Sequence, residues 1–134
     1  MRHSLRGKQA KPLLRFSSTV KRGKITPTQH DQILTHTLNI VTNYDKLRDA
    51  DLVIEAVFED RELKAMVTRE AEAEIDEQAV FASNTSTLPI TTLAQQSVRP
   101  ENFVGLHFFS PVHRMNLVEI IKAQRTSETA LAKA

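Results

Sequence analysis

A histidine and several carboxylates stand where short apolar runs end or are interrupted, and they are the first candidates for chemistry. Glu119 lies between Leu117, Val118, Ile120 and Ile121. A carboxylate in that setting either faces solvent from a sheet edge or requires a buried partner. His107, inside the apolar run Phe103–Phe108, can be that partner if the two runs are neighbouring strands. Such a pairing would satisfy both groups. Two further groups follow apolar runs: Phe58-Glu59-Asp60 and Asn84-Thr85-Ser86-Thr87. Each feature also has an ordinary explanation. Glu59 and Asp60 suit the positive end of a helix dipole. The Asn-Thr-Ser run can cap its own backbone. A single histidine in an apolar strand is more often a satisfied core group than a catalyst.

The elements that must position these residues can be read from the pattern. Leu13, Phe16 and Val20 fall on one helical face between Pro12 and Arg22, with Gly23 as the stop. Thr26-Pro27 reads as an N-cap and first-turn proline, opening a short helix through Ile33 and Leu34. Leu38–Thr42 is expected as a strand and Asn43–Ala50 as a turn region. Asp51–Val57 is short, branched and nearly continuous in apolar character, as in a parallel strand covered on both faces. A helix follows, with Leu63, Met66, Val67, Ala71 and Ile75 on one stripe. Ala79–Ser83, Phe103–Phe108 and Leu117–Ile121 are further strands. Pro89 opens a short helix with Ile90, Leu93 and Ala94, and Ser127 caps a last one. Alternating strands and helices imply an α/β fold with a parallel sheet. Ligands of such sheets bind beyond the carboxyl ends of the strands, where the polar groups above fall.

Composition narrows the classes. The 134 residues, 40% hydrophobic and 25% charged, suit one ordinary globular domain at most. No apolar run is long enough to span a membrane. Without cysteine there is no disulfide and no thiolate metal site, and no metal is expected. A reducing compartment fits: the cytoplasm, or alternatively the mitochondrial matrix. The net charge of +2 is unevenly spread, with eight Lys and Arg before the first acid, Asp31. Residues 31–134 carry −6. An acid-free basic start can be a transit segment or touch an anionic surface; the plainer reading is a solvated helix face after a disordered start over 1–12. Nucleic-acid binding is not expected, since only Phe16 interleaves those charges.

Four segments, in order and at compatible spacing, carry a resemblance: Asp51–Val57, Phe81–Ser86, Gly105–Val112 and Leu117–Ile121. Together they resemble the 3-hydroxyacyl-CoA dehydrogenase family and, within it, the multifunctional alpha subunits of fatty-acid oxidation complexes. The resemblance runs from about residue 13 to the end. It implies oxidation of a 3-hydroxyacyl-CoA to the 3-oxoacyl-CoA with NAD, in fatty-acid β-oxidation. It makes His107 the general base for the 3-hydroxyl and Glu119 its partner. Ser86 lies near nicotinamide and substrate oxygen. Val57, Phe58, Glu59 and Lys64 take the places of the family's cofactor contacts. Ser110 stands where the family usually has a cofactor- or substrate-contacting asparagine.

The resemblance also implies what is missing. Domains of this type open with a strand, a Gly-x-Gly-x-x-Gly turn that cradles the pyrophosphate, and a helix. The only glycines here are Gly7, Gly23 and Gly105, and none forms that motif. The expectation is therefore a partial Rossmann-like parallel sheet over 13–134, lacking the first strand, glycine-rich turn, first helix and the family's C-terminal helical domain. Alone, such a chain is expected to be inactive and to bind NAD poorly. The alternative is a non-catalytic binding or assembly remnant that contacts other subunits of a fatty-acid oxidation complex.

Overall fold

The structure, a computed structural model, describes residues 19–134. The basic start over 1–12 and most of the expected helix Pro12–Arg22 lie outside the described residues. The chain divides into two compact units, Met1–Val41 and Thr42–Ala134, where length suggested a single domain. The sheet and both core clusters belong to the second unit alone.

In the first unit a helix ends at Lys21, and Gly23 is the stop, as expected. Its φ of 68° is the left-handed region that glycine enters without steric cost. Gly23 N–H donates to the Val20 carbonyl (2.9 Å) and Lys24 N–H to that of Thr19 (3.1 Å), the bond pair of a Schellman stop. Helix α1, Pro27–Gln32, opens on a capping box: Gln29 N–H donates to Thr26 Oγ1 (3.1 Å), and Thr26 N–H to Gln29 Oε1 (2.9 Å). A single π turn, Ile33–Thr37, continues it. The expected strand Leu38–Thr42 does not form. Leu38, Ile40 and Val41 are exposed and, among the described residues, join no ladder. Apolar, branched residues favour a strand only where a neighbour supplies pairing.

The second unit begins with a 3-10 turn, Tyr44–Leu47, in the expected turn region. Four strands follow: β1 (Leu52–Glu55), β2 (Val80–Ser83), β3 (Phe103–Phe108) and β4 (Val118–Lys122). They form one sheet in the order β1-β2-β3-β4. The first two pairings are parallel, with Val53 opposite Phe81 and Ser83 opposite Gly105. The β3–β4 pairing is antiparallel, so the sheet is mostly parallel rather than wholly so. The short connection over 109–117 carries no crossover helix and turns the chain straight back.

Alternation along β2 explains the layers. Phe81 faces one cluster with Phe103, Ile90, Leu93, Ala71 and Ile75. Val80 and Ala82 face the other with Val104, Leu106 and Ala130. Helices α2 (Arg61–Glu72) and α3 (Ile90–Ala94) contribute to the first cluster, and α4 (Glu128–Lys133) to the second. Phe81 and Phe103 stack with centroids 5.6 Å apart. Asp60 caps α2 by accepting from Leu63 N–H (2.8 Å), and Ser127 caps α4 by accepting from Ala130 N–H (3.1 Å).

Helix α2 departs from its expected stripe. Ala71 and Ile75 are buried, but Met66 is exposed, and Lys64, Ala65, Thr68 and Glu72 take the inner face. The helix is rolled so that two charged side chains turn inward, each with partners. Lys64 reaches Glu55, while Glu72 accepts from Ser97 Oγ and from Val98 N–H (3.0 Å). Paired polar groups can occupy a buried face that an apolar count assigns to Met66.

Candidate active site

The parallel pairing brings the carboxyl ends of β1, β2 and β3 to one edge of the sheet. Antiparallel β4 returns to the same edge and sets Glu119 directly opposite His107. His107 Nδ1 and Glu119 Oε2 are 2.8 Å apart, and Ser86 Oγ lies 3.3 Å from His107 Nε2. His107 is largely enclosed and Glu119 half-exposed, with side-chain accessibilities of 19% and 52%. The two readings of Glu119 thus merge: it stands on an edge strand and it has a partner. Phe109 packs against the imidazole with centroids 4.6 Å apart.

These contacts assign the tautomer. An ionised carboxylate only accepts, so Nδ1 carries the hydrogen that is donated to Glu119. The neutral ring then presents a lone pair at Nε2, to which the Ser86 hydroxyl donates. A proton taken up at Nε2 would leave an imidazolium beside a carboxylate, a stabilised product.

The turn that carries Ser86 is pinned from both sides. Asn84 N–H donates to the Glu55 carbonyl (2.8 Å), and Asn84 Oδ1 accepts from Phe108 N–H (3.1 Å). Glu59 Oε1 accepts from the Thr85 hydroxyl, Ser86 N–H (3.0 Å), Thr87 N–H (3.0 Å) and the Thr87 hydroxyl (3.2 Å). Burial pushes the Glu59 carboxyl up, but the bonds from Thr85, Thr87 and Ser86 outweigh it and hold it at about 2.

The remaining expected residues divide. Phe58 is 82% exposed at the site edge. Val57 is half-buried and donates its N–H to Glu55 Oε1 (2.6 Å). Ser110 is exposed just after β3, before a cis bond to Pro111. Lys64 is the least expected: its side chain is 1% exposed, with its ammonium 2.8 and 3.0 Å from the Glu55 oxygens. Glu55, Asn84, Thr85 and Thr87 were not singled out individually. A glutamate inside an apolar strand, nine residues before a lysine at the start of a helix, was the available signal for Glu55.

The residues here suit the nicotinamide end of NAD, with a proton acceptor, a hydroxyl and an exposed aromatic ring at one strand edge. They do not suit its pyrophosphate. Gly23 serves a helix stop, and Gly105 lies inside β3, where an added Cβ would stand 2.6 Å from Ile90 side-chain atoms. Among the described residues no glycine turn cradles an anion, and no cluster of side chains could hold a metal ion. No helix among them is long and apolar enough to cross a membrane.

Comparison with known proteins places the fold in a family. The alpha subunit of the fatty acid oxidation complex of Shewanella amazonensis is 47% identical over 113 residues, 84% of this chain and 16% of that protein. The (S)-3-hydroxybutyryl-CoA dehydrogenase of Ralstonia eutropha superposes with a TM-score of 0.86 at 36% identity, covering 92% of this chain and 43% of its own. For the 3-hydroxybutyryl-CoA dehydrogenase of Escherichia coli the TM-score is 0.83 at 35% identity, over 90% and 25%. The chain thus spans less than half the length of each of these relatives. The family model for the 3-hydroxyacyl-CoA dehydrogenase NAD-binding domain matches residues 3–134, and with the sheet and these relatives in agreement, the chain belongs to that family.

Proposed function

We propose that this chain carries the proton-transfer side of an NAD-dependent 3-hydroxyacyl-CoA dehydrogenase. The observation that carries this reading is the line of Ser86, His107 and Glu119, linked at 3.3 and 2.8 Å. His107 Nε2 accepts the proton of the substrate's 3-hydroxyl as the C3–O bond becomes a carbonyl. Glu119 holds the ring through Nδ1 and stabilises the imidazolium. The Ser86 hydroxyl, displaced from Nε2 by substrate, donates to the substrate oxygen. Bound NAD+ supplies the acceptor for the hydride that leaves C3. Val57, Phe58, Glu59, Lys64, Ser86 and Ser110 are the residues that would hold the cofactor at these strand ends.

Residues 13–134 act as the later part of an NAD-binding domain, and a glycine-turn segment completes the cofactor site. The substrate class is an acyl-CoA, and the setting is a fatty-acid oxidation complex in the cytoplasm. The test joins this chain to a polypeptide carrying the glycine-turn half and follows NADH formation with a 3-hydroxyacyl-CoA. Turnover that is lost in His107→Ala is expected. Undiminished turnover in that variant removes His107 from the mechanism, and a stable complex without turnover in the parent marks an assembly role instead.

A further inference from the structure

We infer that Asn84 is a positioning residue: its side-chain carbonyl stands in for the β2–β3 ladder beyond Ser83 and so sets how closely Ser86 approaches His107. The inference rests on the proposed role of His107 and extends it to a residue that acts through its neighbours.

The pairing of β2 with β3 stops short of the site. Its final partners are Ser83 and Gly105, while His107 and Phe108 pair with Glu119 and Val118 of β4. Continued regularly, the parallel register would set Asn84 opposite Leu106 and Thr85 opposite His107. The strand does not continue. Thr85 leaves the sheet and gives its hydroxyl to Glu59, and the turn to Thr87 follows. A strand that ends early leaves the amides of its longer neighbour facing a gap, and an amide without a partner is costly away from water.

Asn84 is half-buried and closes that gap on both sides. Its backbone N–H donates to the Glu55 carbonyl at the end of β1 (2.8 Å), and its Oδ1 accepts from the Phe108 N–H at the end of β3 (3.1 Å). The side-chain carbonyl thus does what a backbone carbonyl of a longer β2 would do. Phe108 directly follows His107, and Ser86 follows Asn84 by two residues. Together with the 3.3 Å contact from Ser86 Oγ to His107 Nε2, the bond to Phe108 closes a ring through the two strand ends. Glu119 holds the imidazole from its other nitrogen, at 2.8 Å. Glu119 therefore sets the direction of the imidazole, and Asn84 sets the distance between the backbone that bears it and the turn that carries Ser86. Asparagine suits the task. It accepts through Oδ1 on a short stem and adds no charge to an edge that already holds Glu55, Glu59 and Glu119.

The test uses the full 134-residue chain, read by NMR through amide hydrogen exchange and through the NOE between the Ser86 β-protons and the His107 ring. Asn84→Ala removes the acceptor, and Asn84→Asp keeps it at the same reach. In Asn84→Ala the Phe108 amide is expected to exchange about tenfold faster or more, with the Phe81 and Val104 amides within about threefold of the parent. The Ser86–His107 NOE is expected to be lost at the same time. Asn84→Asp should restore both the Phe108 protection and the NOE. An NOE that persists in Asn84→Ala overturns the inference, and so does an Asp variant that behaves as the Ala variant does. Equal loss at Phe108 and across the sheet amides would make Asn84 a plain stability element and overturns it too. Because no turnover is read, failure here leaves the proposed role of His107 standing, and turnover undiminished by His107→Ala leaves the NMR result intact.

Discussion

On the proposed reading His107 accepts a proton at Nε2 only while Nδ1 is kept occupied, and Glu119 Oε2, 2.8 Å from Nδ1, is the group that would keep it so. In the reconstituted enzyme, His107→Ala is expected to lower kcat by about 10²–10⁴-fold, the usual reach of a positioned acid–base group. Glu119→Gln keeps the size of the side chain but can present an NH2 group to Nδ1, which favours the wrong tautomer. Its kcat should fall by about 10²-fold or more with KM little changed, since the loss lies in the transition state. Glu59 makes a separate prediction about pH. Its carboxyl, ordinarily near 4.5, is held at about 2 in the folded chain. A depressed folded value means stability that is fully present above about 4.5 and is lost as pH falls towards about 2. Urea unfolding of parent and Glu59→Gln should therefore differ most above pH 4.5 and converge on acidification. A gap independent of pH would show that Glu59 does not act as a charged acceptor.

At the scale of elements, the periodicities in the sequence located most of the second unit. The strands at 52–55, 80–83, 103–108 and 118–122 and the caps Asp60 and Ser127 follow from local pattern. Two features did not. The Leu38–Thr42 run has strand composition without a ladder, and composition does not reveal whether a neighbour exists. Helix α2 turns Lys64 inward and Met66 outward, because Glu55 lies beneath it; that choice depends on a contact between residues nine apart on different elements. The candidate site was legible where a polar type interrupts an apolar run, as at His107 and Glu119. It was illegible where the role belongs to a hydrogen-bond network, as at Asn84 and Thr85. Two glycines allow a check on backbone and packing. Gly23→Ala should cost about 1 kcal/mol through its positive φ, with no lost contact, since nothing lies within 4 Å of the added carbon. Gly105→Ala should cost about 1–3 kcal/mol, because its Cβ would press on Ile90 and stand 3.0 Å from Ile121 Cβ. Thermal unfolding of both variants separates strain from crowding: adding Ile90→Ala, which removes both Ile90 atoms that stand 2.6 Å from the new carbon, should relieve the second and leave the first unchanged.

At the scale of the molecule, the cofactor site is unequally furnished. On the proposed reading the strand ends offer groups for the nicotinamide, whereas the 134 residues contain no Gly-x-Gly-x-x-Gly turn for the pyrophosphate. Calorimetry of the chain with NAD+ is expected to give a Kd weaker than about 1 mM; binding in the micromolar range would contradict the division. The sheet is also unequal at its sides. Among the described residues β1 pairs only with β2, and a shallow groove of about 370 Å³ beside it is lined by Leu52, Ile54, Val57 and Val67. The antiparallel return of β4 has a consequence for following the chain as it folds. Opposite residues in such a ladder are matched by counting, so a slip of one position would send Glu119 to the far face of the sheet and leave His107 without its acceptor. The imidazole resonance of His107 is therefore a gauge of strand alignment, readable during refolding before any substrate is added.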